Sequence, residues 1–564
     1  MQFPGANETD TAYQTLVTGP VAPSSPSGFY AALLELRRWW ATELAKEGMM
    51  ELHLPSSGNT NGTYLKTQAV AAIVRSMITR QNVWHPRYGT SPGLGDDNRD
   101  GLPEVFTSTA TAALEMGAMP YAKGVIDNYL RFFVRDDGML THHGTEVPAS
   151  ARVLTVFALY DGYSGGSDAA FMLEHFSKAK ALGDWLLFRR SLSLKLAKSD
   201  ARYGIPQGDA EAENFPYVMY HQAAPLHFYS SASEMYRAFT ELGAVWVAVG
   251  KKAGRADVSE HGAKLLAAAP LLRADLHTSL NRTVYATGNP AAPRCWPFVA
   301  EVNDTGGQMA HPHRGYPQLL YSGVLTAAQV DDIFNYMGNV NRSLTLGVPG
   351  WGTTISTRAP FGMAFALLQN DMIERFLLHF YAVSAHAHTR GTWVTPESVD
   401  LADRDAGSAP YASTGVHMVP TYLKWMLCFE EPETRTLWLG KAVPRDWLRA
   451  GETPIVATGV TTRYGRLSFR LTATATAGGR STSAVGYSVH VNVTMPAGDR
   501  SPAGGLRVRV RAPLEHAGKM SAVTVGGKPW PRFDAGTETV DFTADELTPA
   551  LRATGLPRMV AIFT

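Results

Sequence analysis

The sequence predicts a mainly α chain with a β appendage: an (α/α)6 toroid followed by a small antiparallel β-sandwich. Three observations predict it. Apolar residues recur at helical spacing from about Phe29 to about Glu430, as in Phe29, Ala32, Leu33, Leu36 and Trp40. The connections between the predicted helices mostly alternate short and long, and beyond Thr434 the apolar period changes from helical to two.

Helices are expected over 29–47, 64–81, 104–117, 119–134, 149–162, 166–196, 227–252, 256–280, 316–323, 326–339, 361–369 and 371–386, with one more near 413–430. In a ring of hairpins every long connection after an even-numbered helix falls on the same rim. Segments 82–103, 135–148, 197–226, 281–315, 340–360 and 387–412 therefore converge over one mouth, where binding groups concentrate. The strand signals are Leu467–Leu471, Tyr487–Val493 and Leu506–Val510, separated by turns such as Ser501-Pro-Ala-Gly-Gly505. The expected division is an N-terminal extension 1–28, a toroid 29–433 and a β-sandwich 434–564.

The 564 residues are 45% apolar, more than one ordinary core holds, which agrees with two unequal domains. Fifty-one Lys and Arg face 50 Asp and Glu without long runs, so no electrostatic footprint for nucleic acid or an anionic membrane is present and a neutral partner is favoured. Apolar runs stay short of the ~18 residues that a bilayer span needs. The opening Met1–Asn7 lacks the basic and apolar regions of a signal peptide, whereas sequons at Asn7, Asn61, Asn281, Asn303, Asn341 and Asn492 favour a secreted or lumenal product. Cys295 and Cys428 read as small buried hydrophobes.

Two loops carry candidate chemistry. Segment 197–226 contains Tyr203-Gly-Ile-Pro-Gln-Gly208-Asp209-Ala-Glu211-Ala-Glu213-Asn-Phe215, three carboxylates within five residues beside aromatic rings. Partial desolvation and like charge would raise one pKa toward neutrality, as a general acid requires; the bland reading is a solvated acidic turn. Segment 387–412, with the preceding residue, reads His386-Ala-His388-Thr-Arg390-Gly-Thr-Trp393-Val-Thr-Pro396-Glu397. It combines an aromatic face, charged donors and one carboxylate; alternatively Glu397 opens a helix after Pro396 and pairs with Arg390. Trp84, Arg87, Tyr88, Trp296 and Trp351 lie in or beside the long loops and supply further aromatic and hydrogen-bonding groups, while Asp136-Asp137-Gly138 reads as an ordinary turn.

Other chemistries drop out. His386-x-His388, His142-His143 and His311-Pro-His313 lack the partners of a metal site, so no metal is expected. Gly-x-Gly-x-x-Gly and Walker loops are absent, and Gly162-Tyr-Ser164-Gly-Gly166 joins two predicted helices rather than a strand and a helix, so neither a nucleotide cofactor nor a serine hydrolase is expected; no cofactor is.

The runs Arg390–Glu397, Val419-Pro-Thr-Tyr-Leu-Lys-Trp425-Met-Leu-Cys-Phe-Glu430 and Leu437-Trp-Leu-Gly-Lys-Ala-Val-Pro444-Arg-Asp-Trp447, with Tyr464-Gly465, resemble the end of the toroid and its junction to the β-sandwich in six-hairpin glycosidases. Arg202–Gly208 through Glu213 is similar to a loop preceding the middle of the ring in that superfamily. The chain departs from better-known members in showing neither an export signal nor a large N-terminal β-domain, and the subfamily stays open. The resemblance implies hydrolysis of a glycosidic bond by two carboxylates, one after the sixth helix and one near the ring's end. On that expectation Glu211, or Asp209 or Glu213, protonates the leaving oxygen and Glu397 activates water, with inversion if the carboxyl groups stand roughly 6.5–9.5 Å apart. Substrate contacts are expected from Trp84, Arg87, Tyr88, Tyr203, Trp296, Trp351, His388, Arg390 and Trp393. A polysaccharide lyase using Tyr203, His221, Arg87 and Arg390, and a glycan-binding protein without turnover, are the alternatives.

Overall fold

The computed structural model describes residues 25–55, 102–141, 145–208, 226–301, 315–340, 342–357, 361–388, 395–403, 412–476, 486–495 and 500–564. A helical region is followed by a β region, and no helix among the described residues is long and apolar enough to cross a membrane. The helices are α1 (Pro26–Glu47), α2 (Pro103–Met116), α3 (Met119–Phe132), α4 (Val147–Tyr163), α5 (Ala169–Glu174), α6 (Phe176–Ser193), α7 (Tyr229–Ala253), α8 (Ala256–Thr283), α9 (Gly315–Tyr321), α10 (Ala327–Asn339), α11 (Phe361–Gln369), α12 (Ile373–His386), α13 (Ser413–Val416), α14 (Met418–Leu427) and α15 (Pro549–Thr554).

Local chemistry sets their ends. Pro103 and Glu104 open α2, where a missing N–H and a negative charge suit the first turn, and Gly117, in the left-handed conformation at φ 83°, closes it. A capping box between Thr326 and Gln329 opens α10. The single helix expected over 166–196 is instead α5 and α6. Gly165 and Gly166 are both left-handed, so the helix starts only where Asp168 caps the Phe171 N–H. His175 then breaks it, because its ring packs edge-on to Phe157 and Phe171 and meets Asp127 at 2.9 Å.

Six helices pack in succession. α2 lies against α4, α4 against α7, α7 against α9, α9 against α11, α11 against α14, and α14 against α2 again. Helices α3, α6, α8 and α12 pack on α2, α4, α7 and α11 respectively. Close approach needs glycine at two contacts. Gly243 of α7 and Gly262 of α8 bring those helix backbones together, and a Cβ on Gly362 of α11 would fall inside the van der Waals shell of the Pro317 carbonyl oxygen of α9. Gly362→Ala is therefore expected to cost about 1–3 kcal/mol by overpacking, as read from denaturation midpoints. An unchanged midpoint would mean that α9 and α11 can part without cost.

The strands are β1 (Glu51–His53), β2 (Tyr285–Asn289), β3 (Ala292–Cys295), β4 (Leu344–Thr345), β5 (Val348–Trp351), β6 (Thr354–Ser356), β7 (Ser398–Asp400), β8 (Cys428–Glu431), β9 (Thr436–Leu439), β10 (Ile455–Val460), β11 (Leu467–Thr476), β12 (Gly486–Thr494), β13 (Leu506–Arg509), β14 (Met520–Val525), β15 (Lys528–Pro529), β16 (Phe533–Asp534), β17 (Thr539–Phe542) and β18 (Met559–Phe563). One sheet runs β1-β10-β11-β12-β18-β14-β15 and a second β16-β17-β13-β9-β8; all pairs are antiparallel except β9 with β13. β1 comes from between α1 and α2 yet adds to β10, so the β region borrows an edge strand from early in the chain. The last helix expected near 413–430 stops at Leu427, and Cys428–Glu431 is strand β8. Its four residues are all buried, so no alternation marks it in the sequence. Helices and both sheets share one continuous apolar core.

Candidate functional site

The long connections enter at the N-terminal ends of α2, α4, α7, α9, α11 and α13, and hydrogen bonds knit their described parts together. Gly208 and Leu226 exchange two backbone bonds of 2.9 and 2.8 Å, pinching the base of segment 209–225 beside Thr145 and Val147 at the start of α4. Ala300 N–H donates to the His227 carbonyl at 2.9 Å and Tyr229 N–H to that of Phe298 at 3.0 Å, which ties the same base to the connection before α9. Farther round, β6 pairs with β7, joining segments 340–360 and 387–412 in one small sheet. Both segments read as loops because strands of two to four residues leave too short a period to detect.

Glu397 stands in that joint. Its carbonyl accepts the Thr357 N–H at 3.0 Å, the preceding Pro396 carbonyl accepts the Thr357 hydroxyl, and its side chain is buried. It leads into β7 rather than into a helix, so the helix-opening alternative does not describe it. His388, just past the end of α12, is buried with Nδ1 at 3.1 Å from the Val383 carbonyl, and burial pushes its imidazole down to about 4. Trp296 packs in the core, its carbonyl accepting the Tyr316 hydroxyl at 2.5 Å. Tyr203 is half-buried in the turn after α6, and Trp351 ends β5. Asp209, Glu211, Glu213, Trp84, Arg87, Tyr88, Arg390 and Trp393 lie outside the described residues, as does His221.

The base of segment 209–225 also carries a pair that residue order did not single out. His227 Nδ1 meets Glu301 Oε1 at 2.7 Å, and the His227 N–H donates to the same oxygen at 3.3 Å. Nearby, Arg202 hydrogen-bonds Asp200 and holds that carboxyl down at about 2. Glu301 lies in segment 281–315, one of the long connections, whereas His227, 74 positions earlier, has no local signal.

Below this rim, side chains from all six successive helices meet. Trp425 of α14 donates its indole N–H to Glu115 of α2 at 2.8 Å, and Tyr163 of α4 donates to the same carboxylate at 3.0 Å. Arg237 of α7 donates to the Tyr321 carbonyl of α9 at 2.6 Å and lies 4.6 Å from the ring centre of Phe365 on α11. Arg152 of α4 pairs with the fully buried Glu234 of α7 at 2.6 Å. Buried polar atoms on these helices are left over: the Thr109, Ser150, Ser231 and Thr421 hydroxyls, Gln318 Oε1 and Glu234 Oε2 have no hydrogen-bond partner among the described residues. Buried polar groups are normally bonded, so this interior has unmet capacity for water or a polar ligand. Arg152, Glu234, Glu115 and Lys424 did carry a signal in the sequence, namely a charge set among the apolar residues of a helix.

Among the described residues one cluster has ligand atoms close enough for a metal ion: Asp127, Glu174 and His175. Arg131 already hydrogen-bonds both carboxylates, so a guanidinium supplies the positive charge there. Cys295 and Cys428 are free and buried, and burial pushes both thiols up to about 12. No protein-family model matches this chain, and no curated protein does.

Proposed function

We propose that this protein is a glycoside hydrolase, an (α/α)6 toroid with a C-terminal β-sandwich, acting on an oligo- or polysaccharide by an inverting pair of carboxylates. One observation carries the reading. Six helices pack in a succession that returns to its start, and every long connection enters at the same end of them. A ring so built has an open mouth bounded by loops, and the unmet polar groups on its inner helices suit a ligand rich in hydroxyls. This reading is supported by the burial of Glu397 beside Thr357 and by the Gly208–Leu226 backbone bonds at the base of the segment whose sequence holds Asp209, Glu211 and Glu213.

In this mechanism Glu211 or a neighbour gives its proton to the leaving glycosidic oxygen as the bond to the anomeric carbon breaks. Glu397 takes a proton from the water that attacks the opposite face. The fixed backbone of Glu397 serves the second role, because a base must be held against recoil while water lies between it and the sugar. The experiment is a screen of aryl glycosides and plant, algal and bacterial polysaccharides for released reducing ends, read together with absorbance of unsaturated uronates. Wild type, Glu397→Gln and Glu211→Gln are compared. Reducing ends without that absorbance, reduced about 10²–10⁴-fold in Glu397→Gln with the fold intact, are expected. Absorbance would replace hydrolysis by elimination, and glycan binding without either product would leave a binding protein.

A further inference from the structure

A second concave site lies at the other end of the helices. A cavity of about 450 Å3 opens where the C-terminal parts of α4 and α7 face the turn after β8 and the turn before β11. Tyr236, Thr240, Ala244 and Ala248, four apart on α7, present one wall. Several of its charged groups are held in ion pairs: Arg463 with Glu241, Arg500 with Asp161 at 2.9 Å, and Glu433 with Arg273, which lies outside the lining, at 2.8 Å.

After those pairs are made, hydrogen-bonding capacity remains on the cavity wall. Asp161 Oδ1 is an acceptor, Arg463 Nε and Arg237 Nε are donors, and the Ser501 hydroxyl is both; all four atoms are buried and have no hydrogen-bond partner among the described residues. Asp161 and Arg237 are themselves more than nine-tenths buried. Leaving such atoms unmet costs roughly 1–3 kcal/mol each, so an apolar occupant is disfavoured. Five carboxylates and four guanidiniums line the wall, so the charges nearly balance and an ion gains little from the site as a whole. Hydroxyl groups donate and accept at once, which matches a wall of mixed donors and acceptors, and Tyr236 and Tyr464 add ring faces for C–H groups.

We infer that this junction cavity is a binding site for a neutral, polyhydroxylated ligand of one or two sugar rings, separate from the loop-bounded mouth. Its volume falls in the range of small-molecule sites. The site stands apart from Glu397, at the opposite ends of the helices, and the inference does not depend on the proposed hydrolysis.

The test is calorimetry of the full chain with glucose, xylose, galactose, cellobiose and maltose, in wild type, Ala244→Trp and Ser501→Ala, each also carrying Glu397→Gln to prevent turnover. Ala244→Trp fills the cavity without touching an ion pair, and Ser501→Ala removes one hydroxyl. At least one of these sugars is expected to show a site that Ala244→Trp weakens tenfold or more and Ser501→Ala about fivefold, the loss of one hydrogen bond. If Ala244→Trp does not fold, Ser501→Ala alone decides. Binding equal in wild type and the folded cavity variants, or no binding by any of the five sugars, overturns the inference and leaves the cavity to water.

Discussion

Acidification from pH 7 to pH 4 is expected to unfold this protein in a steep step that takes up three or more protons. His379, His388 and His417 are all buried, and burial holds their imidazoles at about 4, 4 and 3. His379 sits with Nδ1 2.8 Å from the Gly347 carbonyl, and His417 with Nδ1 3.4 Å from the Ser108 hydroxyl. Burial disfavours the charged form of each ring, so protonation works against the folded structure. The folded pKa of each group is depressed below the unfolded value near 6.5. The stability they contribute is therefore fully present above about pH 6.5 and is lost as pH falls toward 4. A shift of about 2.5 units is worth roughly 3 kcal/mol, and three such groups reach the scale of a whole domain's stability.

The check is the slope of unfolding free energy against pH, from urea melts at half-unit steps. A slope of three or more protons between pH 6 and pH 4.5 is expected. In His417→Gln it should fall by about one whatever the variant's own stability offset, because the slope counts protons and not contacts. A native near-ultraviolet spectrum retained at pH 4, with a flat stability profile, would sink the idea. The location matters for function as well. Gly347 precedes β5, and His388 precedes the segment that leads through Glu397 into β7, so acid should undo the mouth's small sheet along with the helices behind it.

Helical periodicity reaches as far as the chain's own repeats allow. It placed α7, α8, α11 and α12 within a few residues, because each has a wide apolar stripe and a neighbour to cover it. It missed the break at His175 because ring packing against Phe157 and the bond to Asp127 are contacts between elements, which periodicity does not contain. β8 was missed because all four of its residues are buried, which leaves no alternation to detect. The candidate site divides in a similar way. Glu397 is visible from its company of Trp393 and Arg390, whereas the contact of Trp425 with Glu115 spans 310 positions and belongs to the ring alone. His388 shows the converse: an attractive His-x-His spelling turns out to contain a neutral imidazole bonded to the end of its own helix. Charges set among the apolar residues of a helix are the better guide, since only a partner elsewhere in the fold makes them tolerable.

Glu115→Gln is expected to destabilise the protein by about 3 kcal/mol or more, although the change keeps the shape and the hydrogen-bond acceptor. Lys424, about 1% exposed, has its ammonium 2.7 Å from Glu115 and 3.4 Å from Glu430. Burial alone would lower its pKa; Glu115 and Glu430 outweigh that and hold it above the ordinary lysine value. Removing the nearer carboxylate leaves a buried cation with less than half its compensation, and breaking such pairs costs about 3–5 kcal/mol. Glu430 cannot turn wholly to Lys424, because it also accepts the Arg463 N–H at 2.8 Å. A second change supplies the control. Adding Lys424→Met removes the orphaned cation, so the double variant should recover at least half of the loss, a non-additivity read from a double-mutant cycle of denaturation midpoints. The pH sign follows from the raised pKa: wild-type stability from this group is present below the unfolded lysine pKa and is lost as pH climbs through the higher folded one, so in Glu115→Gln the alkaline loss begins earlier. Near-zero cost for Glu115→Gln would mean that Lys424 finds another partner or water. Equal costs for the single and double variants would mean that the residues act through packing rather than charge. A cost that Lys424→Met reverses would establish that Glu115, Lys424 and Glu430 form a buried ion network under tension between desolvation and attraction.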